Sequence, residues 1–255
     1  MGDKTIQSNY DLKEMFYGAK VDIIIPFHKQ ESKVTKLVKS ILMHTQKTNP
    51  YRIILVDDYS KSDWGALWQH VPGVSIVRNE KQLGFGGSLY QGFINSDAPW
   101  VVFMHSDCVV ETPNWLFEMG KSLVKFREEK SKVKMVSAKS DNPGDQYDAR
   151  LKSEKTEICE DIIVNTALPL YCAMCNRELF ERINGFIKKY PYAFYEDEEL
   201  AHRMKKYGYE QAICGKSWVR HEGAATINEI VKNNMKIKNT IEANRELCMR
   251  DMGLI

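Results

Sequence analysis

The sequence predicts an α/β fold in which a mostly parallel central sheet is flanked by helices. Short apolar runs alternate with stretches in which apolar residues recur every three or four positions, a pattern typical of buried strands alternating with helices. Three of the runs end in polar residues. Because open α/β sheets bind ligands beyond the carboxyl ends of their strands, the same pattern predicts a ligand site at that edge.

The first half of the chain carries the most regular part of this pattern. Val21–Phe27 is a near-continuous apolar run that ends in Pro26 and Phe27, as expected for a strand buried on both faces. The predicted order is strand Val21–Phe27, helix Glu31–Thr45, strands Arg52–Val56 and Val74–Val77, helix Gly84–Asn95, and strand Trp100–Met104.

The second half is less regular, and its long charged stretch Lys139–Glu160 is interpreted as a loop. No break in composition divides the chain, so residues 1–255 are predicted to form a single domain. The remaining predicted elements are helix Thr112–Glu129, strand Val133–Ala138, strand Pro169–Cys175, helices Glu178–Ile183 and Glu196–Lys206, strand Ala212–His221, and helix Ile227–Arg250.

Composition excludes several classes of protein. With 255 residues, 43% apolar content and a net charge of +2, the chain is too apolar and too weakly charged to be disordered. No run approaches the roughly 18 apolar residues that span a bilayer, so we expect no transmembrane segment. Six scattered cysteines and no apolar leader predict a cytoplasmic protein, with peripheral contact to a membrane left open.

Three short motifs are interpreted as coincidental. Leu83–Gly87 lacks the third glycine of a dinucleotide fingerprint and follows the third strand, and Gly215–Ser217 lacks the earlier glycine of a P-loop. Cys172 and Cys175 lie in one predicted strand, where their side chains face opposite ways. A zinc or redox role for this lone pair is therefore not expected.

Three acidic clusters carry the chemistry. Asp57-Asp58 and Asp107 follow buried strands, and Glu196-Asp197 begins a predicted helix. Carboxylates collected at the carboxyl ends of strands suit a divalent cation, and a divalent cation suits a pyrophosphate group.

These clusters belong to a series of motifs that resembles the family 2 glycosyltransferases, and among them the rhamnosyltransferase-like members. This family has the Rossmann-like fold called GT-A, which binds nucleotide sugars. The resemblance extends from about Val21 to Thr226. It rests on six segments in family order: Ile23–His28, Ile54–Ser60, Asn79–Gly92, Met104–Asp107, Tyr195–Tyr209 and His221–Gly223.

The resemblance implies an inverting, metal-assisted transfer of a sugar from a nucleoside-diphosphate sugar, for example a UDP- or dTDP-sugar, to an acceptor hydroxyl. It implies a nucleotide-sugar half over about residues 20–110, a smaller acceptor half over 111–226 and a C-terminal helix over 227–255. The residues implied are Asp197 as general base with Glu196 beside it; Pro26, His28, Asp57 or Asp58, Gly84, Gly86, Gly87 and Ser106 for the donor; Asp107 and His221 for Mn²⁺ or Mg²⁺; and Tyr195, Arg203 and Trp115 for the acceptor.

The acceptor stays open at this stage. A glycan or lipid-linked saccharide is the first reading. A second alternative is that the acceptor is a hydroxylated base in DNA, which would leave the duplex stack to react. Seven basic residues between Lys121 and Lys139 are compatible with binding to a phosphate backbone. A third alternative is an inactive module that binds nucleotides or carbohydrates, although Asp107, Asp197 and His221 are all present. The donor sugar and the oligomeric state are also open.

Overall fold

The computed structural model describes residue 16 and residues 18–61, 65–144, 146–185, 190–223 and 235–255. Within these ranges nine strands form one sheet in the order β3-β2-β1-β4-β8-β6-β9-β5, and β7 also pairs with β9. The strands are β1 Val21–Phe27, β2 Tyr51–Asp57, β3 Val74–Arg78, β4 Trp100–Met104, β5 Cys108–Val109, β6 Val133–Ser140, β7 Ile162–Val164, β8 Cys172–Asn176 and β9 Glu210–His221.

The helices cover both faces of this sheet. They are α1 Glu31–His44, α2 Gly65–Trp68, α3 Gly84–Ile94, α4 Trp115–Glu128, α5 Arg177–Arg182, α6 Glu196–Lys206 and α7 Met235–Asp251, with a short 3₁₀ helix at Ala149–Leu151. The mixed α/β architecture predicted from the sequence is therefore confirmed.

Strand β1 lies at the centre of the parallel part of the sheet and is buried on both faces. It pairs in parallel with β2 and with β4, and β2 pairs in parallel with β3. Ile23 and Ile25 contribute to one core cluster, whereas Ile24 contributes to the other with Leu89 and Phe93 of α3. This two-sided burial explains why the strand is an unbroken apolar run.

The second half of the chain adds antiparallel strands to this parallel unit. Strand β8 lies antiparallel between β4 and β6, and β5 and β7 run antiparallel to β9. Cys172 and Cys175 of β8 belong to opposite core clusters, as their spacing predicts. The pairing of Cys108 with His221 matters most for function, because it brings the end of β9 beside Asp107.

Most predicted elements are present, with shifted ends in the less regular half. Helix α4 begins at Trp115 rather than Thr112, and β8 begins at Cys172 rather than Pro169. The predicted loop Lys139–Glu160 is only partly irregular, because β6 continues to Ser140 and a 3₁₀ helix follows. Strands β5 and β7 and helix α2 were not predicted. The predicted helix Ile227–Arg250 is observed from Met235, and residues 227–234 lie outside the described residues.

In the part of the chain that the structure describes, no helix combines the length and the apolar character that a membrane crossing requires.

Gly92 allows α3 to pack closely on the sheet. A Cβ atom at Gly92 would lie 2.2 Å from Cγ2 of Ile24 and 3.0 Å from Cγ2 of Val56. We expect Gly92→Ala to lower the free energy of unfolding by about 1–3 kcal/mol, because inserted atoms force a packed core to shift. Urea unfolding measures this change. The control Ile94→Ala removes a half-exposed side chain of the same helix and is expected to change stability by at most about 0.5 kcal/mol. Equal losses in both variants would contradict the close packing.

Candidate active site

A cavity of about 800 Å³ lies at the carboxyl ends of the parallel strands, where the two halves of the chain meet. Its volume is within the range typical of small-molecule sites. Ten of the residues singled out from the sequence line it: Pro26, His28, Asp58, Gly84, Ser106, Asp107, Tyr195, Glu196, Asp197 and His221. The remaining five, Asp57, Gly86, Gly87, Trp115 and Arg203, do not line it.

Three side chains form a candidate metal-binding triad, which consists of His105, Asp107 and His221. Nδ1 of His105 lies 3.2 Å from Nε2 of His221, and Oδ1 of Asp107 lies 3.4 Å from that nitrogen and 4.0 Å from Nδ1 of His105. Ligand atoms bound to one cation at a distance of about 2.1 Å lie roughly 3–3.5 Å from one another. The triad is therefore close to a ligating arrangement.

The protonation of the triad also suits a cation. Nδ1 of His221 donates a hydrogen bond of 2.7 Å to the carbonyl oxygen of Asn142, so Nε2 is the ring nitrogen that faces the triad. Burial, together with His221, lowers the pKa of His105 to about 4, so this ring is neutral. Burial raises the pKa of Asp107, but His221, His105 and Lys33 outweigh it and hold this pKa at about 2.

Two aromatic rings fix the imidazoles of the triad. Phe85 contacts His105 edge to face with the ring centroids 4.8 Å apart, and Tyr171 stacks on His221 at 4.9 Å. Tyr171 is itself fully buried and donates a hydrogen bond to the carbonyl oxygen of Ala138. The triad is therefore held by packed rings and by the sheet.

The start of α3 is fixed by the carboxylate of Asp58. This carboxylate accepts hydrogen bonds from the backbone N–H groups of Leu83 at 2.7 Å and Gly84 at 2.9 Å, and from the side chain of Asn79 at 2.9 Å. A carboxylate at a helix N-terminus satisfies N–H groups that lack partners within the helix and interacts favourably with the helix dipole. His28 donates a hydrogen bond to the carbonyl oxygen of Asp58 and also lines the cavity.

The same helix start holds the segment that precedes α6. Gly84 has φ of +76°, and a Cβ atom there would lie 2.6 Å from the backbone nitrogen of Tyr192. The N–H group of Phe85 donates a hydrogen bond of 2.7 Å to the carbonyl oxygen of Tyr192, and the backbone of Gly86 lowers the pKa of Glu196. Gly84 therefore lets the segment before α6 approach the start of α3 closely. The sequence had instead predicted that these glycines contact the nucleotide-sugar donor.

Glu196 and Asp197, at the start of α6, are buried carboxyl groups whose pKa values are raised. Burial, with the neighbouring Asp197, raises the pKa of Glu196 to about 8. Burial also raises the pKa of Asp197 to about 7, although a hydrogen bond from Tyr147 opposes the rise. The hydroxyl group of Tyr147 donates this bond to Oδ2 of Asp197 at 2.5 Å. Asp197 can therefore exchange a proton near neutral pH.

Two acceptor-side expectations are corrected by the structure. Trp115 is fully buried in the core, where its Nε1 donates a hydrogen bond to the hydroxyl of Thr45, so it cannot contact an acceptor. Arg203 bonds to Glu199 at 2.5 Å and to the carbonyl oxygen of Gly185 at 2.6 Å, and it does not line the cavity. Its guanidinium group fastens α6 to the turn that follows α5.

Three donor-side expectations are also revised. Asp57 is buried outside the cavity and accepts a hydrogen bond from the N–H group of Ser60, so Asp58 is the member of the pair that faces the cavity. Gly86 and Gly87 lie in the buried first turn of α3 and do not line the cavity.

Sequence reasoning missed His105 as a candidate metal ligand, together with Asn142 and Tyr147. A signal for His105 was available, because it occupies the first position of the spacing in which two acids would bind a metal. No periodic pattern marks Asn142 or Tyr147, which lie in the irregular segment after β6.

The basic stretch Lys121–Lys139 is not exposed along its whole length. Lys139 is buried, with Nζ 3.7 Å from Sγ of Cys159. Arg127 and Lys134 line a second cavity together with Trp100 and Val133, which are the first residues of β4 and β6. A phosphate backbone held there would lie at the edge of the sheet opposite the larger cavity.

Comparison with known proteins identifies the sequence family. The sequence pattern of the family described as Glycosyl transferase family 2 matches residues 22–183, which is more than half of the chain. Polypeptide N-acetylgalactosaminyltransferase 16 of Homo sapiens is 33% identical over 113 residues, which cover 44% of this chain and 20% of that protein. The Mus musculus protein matches at the same identity over 116 residues. The chain thus spans about a fifth of the length of these curated relatives.

Solved structures share the fold. The crystal structure of GalNAc-T7 with UDP, GalNAc and Mn²⁺ superposes with a TM-score of 0.66 at 16% identity, covering 80% of this chain and 44% of that chain. The mannosyltransferase PcManGT from Pyrobaculum calidifontis, in complex with GDP-Man and Mn²⁺, superposes with a TM-score of 0.60 at 14% identity, covering 98% and 80%. The GT-A fold expected from the sequence is therefore confirmed.

Gly84→Ala tests the junction between α3 and the segment before α6. The variant is expected to lose about 1–2 kcal/mol of stability through its positive φ, and more through the collision with Tyr192. Gly208→Ala is a matched control, because Gly208 has φ of +73° but no atom within 4 Å of its added Cβ. Thermal unfolding compares the two variants. A loss in Gly84→Ala no larger than that in Gly208→Ala would contradict the close approach.

Proposed function

The chain belongs to glycosyl transferase family 2, and on that premise we propose that it transfers a sugar from a nucleoside-diphosphate sugar to an acceptor hydroxyl with inversion at the anomeric carbon. One observation carries the proposal: a single cavity is lined both by the triad His105, Asp107 and His221 and by the buried carboxyl group of Asp197. A group that neutralises a leaving diphosphate and a group that accepts a proton are the two requirements of this reaction.

The donor side rests on the triad. Two imidazoles and one carboxylate favour a transition-metal ion such as Mn²⁺ over Mg²⁺, which prefers oxygen ligands alone. When bound there, the ion supplies positive charge against the charge that develops on the diphosphate. The solved structures with Mn²⁺ and UDP or GDP-Man support this choice.

The acceptor side rests on Asp197. Its carboxylate takes the proton of the acceptor hydroxyl as that oxygen forms its bond to the anomeric carbon. The bond from this carbon to the diphosphate oxygen breaks in the same step, and its electron pair leaves with the diphosphate. A base with a pKa of about 7 is suited to this work, because it is partly ionised at neutral pH and still basic enough to accept a proton.

The acceptor is a saccharide on this proposal. Three aromatic residues that precede α6 line the cavity near Asp197: Tyr192, Phe194 and Tyr195. Phe194 is one-third exposed, and its backbone and those of its two aromatic neighbours have positive φ. Aromatic rings offer flat apolar surface and a polar tip to a ligand. Backbone strain of this kind clusters at ligand sites.

Removal of the triad is expected to abolish metal-dependent donor binding. In the wild type, a nucleoside diphosphate with Mn²⁺ at about 100 times its Kd adds about 2.7 kcal/mol of stability, which corresponds to a rise in Tm of several degrees. Asp107→Ala and His221→Ala should both lose this rise. The control His70→Ala, at an exposed position outside the cavity, should retain it. An equal rise in the presence of a chelator would contradict the metal assignment.

Asp197→Asn is expected to lower transfer by at least about 100-fold, since the amide accepts no proton, while donor binding stays nearly unchanged. The wild-type kcat/KM should rise with pH through about 7, because the base acts in its ionised form. Release of nucleoside diphosphate measures the rate. Glu80→Gln, at an exposed site, is the matched control. Unchanged turnover in Asp197→Asn would refute the base assignment.

A further inference from the structure

Tyr147 lies in the irregular segment that follows β6, yet it reaches the first turn of α6. The segment turns at Gly144, which has φ of +98°, and the N–H group of Tyr147 bonds to the carbonyl oxygen of Gly144. The Tyr147 ring packs against the core cluster that contains Leu200. Packing therefore holds the ring in place, and its hydroxyl group lies against Asp197.

The hydrogen bond between these residues is short and largely shielded from water. The hydroxyl of Tyr147 lies 2.5 Å from Oδ2 of Asp197, and the Asp197 carboxylate is buried. The backbone of Leu170 also lowers the pKa of Asp197. A carboxylate offers about four acceptor positions, so an acceptor hydroxyl still has room to bond to it.

The charged groups around Asp197 do not otherwise favour its ionised form. Glu198 on its own helix raises its pKa, and Asp197 in turn raises the pKa of Glu196. His221, from β9, lowers the pKa of Asp197. Burial is the largest influence and favours the protonated acid. The hydrogen bond from Tyr147 is therefore the main local support for the carboxylate.

We propose that Tyr147 is a positioning residue that orients the Asp197 carboxylate toward the acceptor hydroxyl and keeps it ionised. This rests on the proposed role of Asp197 as the base. Tyr147 keeps its own proton, because burial and Asp197 raise its pKa well above the ordinary value for tyrosine. The acceptor proton therefore goes to Asp197 and not to the phenol.

The same segment also contacts the triad. Asp141 accepts a hydrogen bond of 3.0 Å from the N–H group of His221, and the carbonyl oxygen of Asn142 orients the His221 ring. Residues 141–144 and 146–147 thus support the ligand His221 at one end and the base Asp197 at the other.

The first test needs no substrate. The side-chain carboxyl of Asp197 is titrated by NMR in protein labelled with ¹³C-aspartate, and its signal is identified by its absence in Asp197→Asn. Tyr147→Phe, which removes only the hydroxyl, is expected to raise the midpoint by about one pH unit, because the ionised form loses a hydrogen bond. Tyr207→Phe, at an exposed position, is the control and should leave the midpoint unchanged. An unchanged midpoint in Tyr147→Phe would overturn the proposal.

The second test measures activity against pH. If the midpoint rises from about 7 to about 8, Tyr147→Phe should lose about fivefold in kcat/KM at pH 7 and less than about twofold at pH 9. A loss of equal size at every pH would indicate a merely structural role and contradict the proposal. A shift of the NMR midpoint in a protein that transfers no sugar would instead contradict the proposed function and leave the hydrogen bond established.

Discussion

The two halves of the cavity depend on how the chain holds the first turn of α3. The Asp58 carboxylate, at the end of β2, accepts the N–H groups of Leu83 and Gly84. The next N–H group of the same turn, that of Phe85, donates a hydrogen bond to the carbonyl oxygen of Tyr192. Only a residue without a Cβ fits at Gly84, so this turn sets the distance between the sheet and the segment that carries Asp197.

Two carboxyl groups in one cavity have opposite pKa shifts, and the difference separates their roles. The imidazoles beside Asp107 and the nearby Lys33 hold its pKa at about 2, so it stays ionised as a ligand should. Burial raises the pKa of Asp197 to about 7, and the nearby Glu198 adds to the rise. Environments that shift the pKa values of two acids in opposite directions are typical of sites where one acid binds or stabilises charge and the other moves a proton.

The sequence predicted the strands that are buried on both faces. It missed the short strands that form only because a distant segment of the chain pairs with them. β1 and β4 are unbroken apolar runs because both faces are covered, and such runs are visible without a structure. Strand β5 has two residues and forms only because His221 lies beside Cys108, so no local pattern predicts it. The sheet is parallel where β1 to β4 pair, and the antiparallel β8 could not be inferred from its composition.

For the site, the order of motifs predicted Asp107, Asp197 and His221, which line one cavity, but it carried no information on side-chain direction. Trp115 matched the family pattern and is buried, whereas Tyr147 matched no pattern and bonds to Asp197. Contacts between residues 50 or more positions apart depend on the packing of the whole chain, and one sequence does not show them.

The most direct measurement of the central claim is pulsed electron paramagnetic resonance of Mn²⁺ bound to the protein with a nucleoside diphosphate. The imidazoles of His105 and His221 predict nitrogen couplings from two histidine ligands, of which His221→Ala removes one. Phosphorus coupling from the diphosphate should appear in the same spectrum. A Mn²⁺ signal with oxygen ligands alone, or nitrogen couplings that His221→Ala leaves unchanged, would contradict a metal site at this triad.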